Sequence, residues 1–264
     1  MQAALRAIYI IWYREILRFV RERTRVAATL GQPLIYFLIV GQGISSAMGF
    51  RSAPAGININ YLQFMYPGIL AMSVLFTSIF SGISIIWDRE FGFLKVVLVA
   101  PVPRWATAVG KALGGSTVAM LQAAVLLLLA PVANVSLTPV TAAKLLAVLF
   151  LVSTAMAFLG VAIASSMETH EGFQMIMNFL IMPLFFLSGA MFPLPAVPAW
   201  MRALMKIDPL TYGVDALRAV IYRGADPAAL SFLVQHSLPT DLAVLAGLAL
   251  LFGLWGAYSF GRQE

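Results

Sequence analysis

Cysteine is absent from all 264 residues, which excludes disulfides and thiolate metal centres. Charge is scarce: Asp, Glu, Lys and Arg make up 11% of the chain, against about 25% in a soluble globular domain. Histidine occurs only at His170 and His236. The apolar runs between them put the two on opposite sides of a membrane, so they share no metal. His170, beside Glu168 and Glu171, reads as part of a polar turn, and no metal ligand set is expected. A phosphate-binding loop is also missing, because Gly110-Lys111 is followed by Ala112 and lacks the upstream glycine of G-x-x-x-x-G-K-[ST]. The chain therefore hydrolyses no ATP by itself. Ser188-Gly189 stands outside any G-x-S-x-G pattern and reads as a helix-packing pair. No catalytic residue is expected. No succession of buried carboxylates offers a proton relay either. Any uphill transport must draw its energy from outside the chain.

What the chain has in quantity is apolar sequence, 61% of its residues. Several runs reach the roughly 20 residues that cross a hydrocarbon core. The expectation is an all-α integral membrane protein forming one transmembrane domain over 1–264. Spans are expected at 27–48, 62–86, 105–130, 143–165, 173–191 and 242–260. Residues 1–26 place Leu5, Ile8, Ile11, Trp12, Ile16, Phe19 and Val20 at helical spacing among arginines, the pattern of an amphipathic interfacial helix. Residues 192–223 are broken by prolines into two pieces too short to span, a re-entrant pair. In its second piece Leu210, Val214, Leu217 and Ile221 form an apolar stripe with Asp215 and Arg218 off it.

The net charge of +6 is placed beside membrane segments and implies lipid headgroups, not nucleic acid. Arg6, Arg14, Arg18, Arg21, Arg23 and Arg25 precede the first span and set that side as cytoplasmic. Six spans then return both termini to the cytoplasm, with a bacterial inner membrane as the expected location. Lys111, near the start of the third span, is expected to snorkel to the interface. Gly110, Gly114 and Gly115 are expected to allow close helix contact. Gln32 and Gln42 in the first span are either interhelical glue or the lining of a path.

The stretch 87–104 stands apart. It opens with Trp87-Asp88-Arg89-Glu90 and continues as Phe91-Gly92-Phe93-Leu94-Lys95. Its apolar run 96–102, stopped by Pro101 and Pro103, is far too short to cross a bilayer. A short helix outside the membrane with apolar side chains around most of its circumference needs a partner surface. That surface is another protein, the chain's own N-terminal helix, or both.

Two motifs carry a family resemblance. One is Asp88-Arg89-Glu90-Phe91-Gly92-Phe93-Leu94-Lys95 with Ala100-Pro101. The other runs from Leu187-Ser188-Gly189 through Phe192-Pro193, Pro198 and Trp200 to Asp208-Pro209-Leu210-Thr211-Tyr212 and Val214-Asp215-Ala216-Leu217-Arg218. The chain resembles the membrane permease subunit of type-2 ABC exporters (ABC-2), in the multidrug and lipo-oligosaccharide efflux branch. Asp208 departs from the family pattern, where asparagine is commoner.

The resemblance implies a homodimer of this chain with two copies of a separate ATPase, and a coupling helix at 90–100 docked on that ATPase. Asp88, Arg89, Glu90, Phe91, Gly92, Phe93, Leu94 and Lys95 would form the coupling site. ATP and magnesium would be held by the partner, and no cofactor by this chain. The first, second and fifth spans line the path in relatives, which makes Gln32, Gln42, Met175, Asn178, Met182, Phe185 and Phe186 the path candidates. The cargo would be hydrophobic drugs or lipid-like molecules. Export of lipid-linked oligosaccharide or polysaccharide is an alternative, and a non-transporting scaffold or an intramembrane hydrolase are readings of other classes.

Overall fold

The computed structural model describes residues 2–43, 60–92, 102–224 and 227–261. Among them no strand occurs. The helices are α1 (Gln2–Arg21), α2 (Arg23–Ile35), α3 (Tyr61–Phe80), α4 (Ile83–Glu90), α5 (Arg104–Leu127), α6 (Pro139–Ser165), α7 (His170–Leu187), α8 (Ala199–Met205), α9 (Pro209–Ile221), α10 (Pro227–Leu233) and α11 (Leu238–Gly261). A π-helical stretch, Tyr36–Gly41, continues α2.

Five segments are long and apolar enough to cross a membrane: Tyr61–Glu90, Arg104–Leu127, Pro139–Ser165, His170–Leu187 and Leu230–Gly261. The span expected at 27–48 is met by a shorter apolar helix, Thr29–Gly41. Residues 44–48 of that expected span lie outside the described residues. In the bundle α3, α5 and α6 pack on one another, and α11 runs along α6. Large side chains such as Phe64, Leu70, Leu75, Leu149 and Val152 fill the middle.

Small residues set the closest contacts, as expected where helices gain little from apolar burial in lipid. A Cβ on Gly82, in the turn between α3 and α4, would fall 2.5 Å from the Gly160 carbonyl oxygen of α6. One on Gly160 would fall 2.4 Å from that of Ile79. The two backbones touch there. Gly110 and Gly114 of α5 receive α1, their hypothetical Cβ atoms meeting Ile11 Cβ at 3.0 Å and Glu15 Cβ at 2.6 Å. Gly115 faces Ser81. The close contact expected of these three glycines is made.

Prolines inside helices leave carbonyls four residues earlier without a donor. Pro33 does this to Thr29 and Pro67 to Gln63. Side chains from other helices fill both vacancies: Gln122 Nε2 donates to the Thr29 carbonyl at 2.6 Å, and the Tyr222 hydroxyl to that of Gln63 at 2.9 Å. The π-helical stretch begins three residues after Pro33, where the normal ladder is already interrupted.

After α7 the chain turns through Gly189, at φ +76°, into α8 and α9. Asp208 caps α9, its carboxylate accepting from the Leu210 amide at 2.9 Å, with Pro209 at the first helical position. The apolar stripe of α9 is buried at Leu210, Val214 and Leu217, but so are Asp215 and Arg218, which the sequence pattern put off that stripe. The reason is that α9 packs against α3, α6 and α11 at once. Arg218 gains its partners there. Its guanidinium lies 4.2 Å from the Phe64 ring centre and donates to the Gly189 carbonyl at 2.7 Å.

Contacts between helix ends sort the connections into two sides. Trp87 to Gly92, the α6–α7 turn, Arg104 and Gly261 gather on one side, with Arg104 donating to the Gly261 carbonyl at 2.7 Å. The start of α3, Tyr222 and the segment before α11 gather on the other.

Candidate functional site

Of the stretch 87–104, expected to couple to a partner, residues 87–92 and 102–104 are described, and the root of the first part is anchored by three separate interactions. Asp88 is buried and pairs with both Arg14 of α1 and Lys111 of α5. Lys111 Nζ also reaches Glu15 at 2.7 Å and Ser84 Oγ at 3.0 Å. Arg89 donates to the Met167 and Ser165 carbonyls, the latter at 3.3 Å, and so places a cation at the C-terminus of α6. Trp87 has the Arg18 guanidinium 4.5 Å from its ring centre and the His170 ring stacked at 5.9 Å. α1, α5, α6 and α7 are all held by these few residues.

Lys111 corrects an expectation. It does not snorkel: its side chain is 4% exposed. Two carboxylates within the bundle, Glu15 and Asp88, supply the countercharge that makes burial of the ammonium tolerable. Glu15 and Asp88 lie 96 and 23 residues from Lys111, so the pairing follows from packing of α1 and α4 on α5 and not from local sequence.

Beyond Asp88 and Arg89 the chain turns outward. Glu90 is exposed, and Phe91 is 81% exposed. Gly92 ends α4 at φ +72°, the left-handed conformation glycine adopts without steric cost, and its amide bonds the Arg89 carbonyl at 3.1 Å. Phe93, Leu94 and Lys95 lie outside the described residues. Next to this root is a basic recess of about 500 Å³, lined by Arg14, Leu17, Arg18, Arg21, Glu22 and Asp88.

Three path candidates come together in one cavity of about 480 Å³ between α2, α3, α5 and α7: Gln32, Asn178 and Met182. Its other walls are Phe19, Thr29, Pro33, Met72, Ser73, Phe76, Thr77, Phe80, Val118 and Gln122. The volume falls within the range of small-molecule sites. The lining is mainly apolar, with a polar seam in which Thr77 donates to the Gln122 amide oxygen and Gln122 in turn donates to Thr29. Thr29, Thr77 and Gln122 were not singled out in the sequence. Pro33 was the available clue, because it frees the Thr29 carbonyl that Gln122 satisfies.

The remaining candidates lie elsewhere. Gln42 is exposed at the end of the described part of the first apolar helix. Phe185 is buried against Tyr36, with ring centres 6.4 Å apart. Met175 and Phe186 stand on an exposed face of α7 with Phe179. A smaller hollow of about 20 Å³ is lined by Glu15, Phe19, Thr77, Ser81, Gly115 and Val118. It shares Phe19, Thr77 and Val118 with the larger cavity. Glu15 therefore links the buried charges to the cavity wall.

Residues 6–222 match the family model described as ABC-2 type transporter. The chain belongs to this family. As an ABC-2 permease it is the multi-pass membrane subunit of a transporter, not itself catalytic, in a family whose members work with a separate ATPase subunit. It is 29% identical over 222 residues to the putative transport permease ycf38 of Cyanophora paradoxa, covering 81% of this chain and 73% of that one. It is 28% identical over 226 residues to the inner membrane transport permease YadH of Escherichia coli K12, covering 80% and 81%. The probable multidrug ABC transporter permease YbhR of the same strain is 25% identical over 169 residues, covering 64% of this permease and 46% of the relative.

Proposed function

We propose that this permease exports small hydrophobic or amphipathic molecules, drugs or lipid-like compounds, driven by ATP and magnesium on a separate ATPase. The observation that carries the reading is the continuity from Phe91 to the cavity. Glu90 and Phe91 are free to meet a partner. Asp88, three residues before Phe91, is bound to Arg14 and Lys111, and Lys111 to Glu15. Phe19, one turn along α1 from Glu15, is a wall of the cavity. A push on the 87–92 segment moves α1 and α5, and with them one wall of the cavity.

In this reading the 90–100 segment docks on the ATPase, with Phe91, Phe93 and Leu94 as apolar contacts and Glu90 as a charged one. Asp88 and Arg89 hold its root, and Lys95 lies further along. The basic recess beside Arg14 and Arg18 suits an acidic side chain of that partner. The permease works as a homodimer with two ATPase copies, and the exposed α7 face with Met175, Phe179, Met182 and Phe186 turns toward the second copy. It sits in a bacterial inner membrane with six spans, 27–48 being the first. The basic α1 lies on the cytoplasmic side with both termini, and 192–223 is a re-entrant pair on the other. A mainly apolar cavity of about 480 Å³ favours a compact cargo over a saccharide chain.

The test is co-expression with the ATPase and reconstitution in proteoliposomes. Glu90→Lys and Phe91→Asp are expected to abolish cargo-stimulated ATP hydrolysis while the permease still folds and inserts. Unchanged stimulation in both variants would refute the coupling assignment. Docking without any cargo-stimulated turnover would instead identify a scaffold.

A further inference from the structure

On the side of the bundle away from Trp87–Gly92, Asp215 of α9, His236 of the segment before α11 and Asp241 of α11 converge. One ligand atom from each lies within 4.8 Å of the other two. We propose that these three residues form a binding site for a divalent first-row transition cation of the zinc type.

The distances suit such an ion. Zinc bonds to imidazole nitrogen and carboxylate oxygen are roughly 2.0–2.1 Å, so neighbouring ligands on a tetrahedron stand about 3.4 Å apart. His236 Nδ1 lies 3.2 Å from Asp215 Oδ2 and 3.6 Å from Asp241 Oδ1. The ligand set, one borderline nitrogen and two hard oxygens, favours zinc, manganese, iron(II) or cobalt over soft metals.

Asp241 gives the second, independent observation. It is fully buried, and neither of its carboxylate oxygens has a hydrogen-bond partner. A buried carboxylate in that condition is costly unless a cation or a proton sits on it. Asp215 is prepared differently. Its oxygens accept from the Gln235 amide at 3.0 Å and the His236 amide at 2.8 Å, which fixes their orientation as supporting bonds do around metal ligands. The Tyr212 ring, 5.3 Å from the imidazole centre, holds the ring plane. His236 remains partly exposed, which leaves an entry path and room for a water as the fourth ligand.

A cation here would clip α9 to α11. Because α9 also carries Arg218, bound to Gly189 and Phe64, the clip would fix the packing of this whole side.

The full-length permease, purified in lipid nanodiscs and stripped with chelator, is dialysed against micromolar zinc and its metal content and thermal midpoint are measured. One zinc per chain is expected, with a raised midpoint that chelator reverses. Magnesium and calcium should not reproduce this effect. Asp241→Asn and His236→Gln should each lower zinc affinity at least tenfold. Asp241→Asn should also raise the metal-free midpoint, which shows that it folds. Cobalt in place of zinc should give visible absorption in the native chain that is lost in Asp241→Asn. Zinc at background level in the native chain, or zinc retained equally by both variants, would overturn the site. A raised midpoint in Asp241→Asn with no zinc response in the native chain would show instead that the two carboxylates share a proton.

Discussion

Gln122 of α5 donates its side-chain amide to the carbonyl of Thr29 in α2, 2.6 Å away, and that carbonyl is the one Pro33 deprives of its helical donor. The same relation recurs between Tyr222 and Gln63, below Pro67. In both places a helix break made by proline becomes a contact between helices. An acceptor left unpaired in a buried position costs about 1–3 kcal/mol. Both bonds are part-buried, so Gln122→Leu and Tyr222→Phe are each expected to lower stability by about 1 kcal/mol, the lower end of that range, in thermal unfolding of the detergent-purified permease. Gln122→Leu should cost markedly less in a Pro33→Ala background, where the restored backbone N–H supplies the missing donor. Equal costs in both backgrounds would break the link between proline and glutamine.

The group Arg14, Glu15, Asp88 and Lys111 makes a second prediction. Removing one member of a buried ion pair costs about 3–5 kcal/mol, because the remaining charge stays buried without compensation. Lys111→Met leaves Arg14, at 32% side-chain exposure, as the remaining cation beside Glu15 and Asp88, and is expected to destabilise toward the lower end of that range. Lys111→Met with Asp88→Asn and Glu15→Gln should recover most of the loss. If the triple variant is no more stable than the single one, the destabilisation is steric and not electrostatic.

Asp208 gives a pH dependence. Burial raises its carboxyl from 3.8 to about 8, against smaller opposing effects of the Leu210 amide and the Thr211 hydroxyl, and its Oδ2 has no partner. Below pH 4 the group is protonated whether the chain is folded or not. Between pH 4 and pH 8 the folded chain keeps the proton and the unfolded chain loses it, so stability falls as pH rises. Above about pH 8 the loss is complete. Asp208→Asn retains an oxygen for the Leu210 amide and cannot ionise. The variant should gain stability over the native chain progressively from pH 5 to pH 8. A constant difference across that range would exclude Asp208 as the titrating group.

The sequence carried the helical class and the position of five of the six expected spans, because each depends on local composition. The glycines of α5 were visible too, as places where helices could come close. The partners were not visible. Gln122 lies 93 residues from Thr29 and Tyr222 159 from Gln63, and nothing local announces such pairs. Lys111 misled for the same reason. Near a helix start it fits an interface, and only α1 laid across Gly110 and Gly114 brings Glu15 to it. Of the seven path candidates, Gln32, Asn178 and Met182 share the cavity because their helices meet there, while Phe185, on the same helix as two of them, is consumed by packing on Tyr36.

The cavity supports a prediction about cargo size. Asn178 and Met182 lie one turn apart on α7 and stand at the lateral wall, where both are exposed. A larger side chain there reduces the volume without unpairing the Thr77–Gln122–Thr29 seam. Asn178→Trp is expected to remove stimulation of ATP hydrolysis by the bulkiest cargo compounds at least tenfold, with the smallest affected by less than about threefold and basal hydrolysis unchanged. A graded loss with cargo volume is the signature to measure, since steric exclusion from a fixed space scales with size and a general folding defect does not. Uniform loss across all cargo sizes would remove this cavity from the transport path.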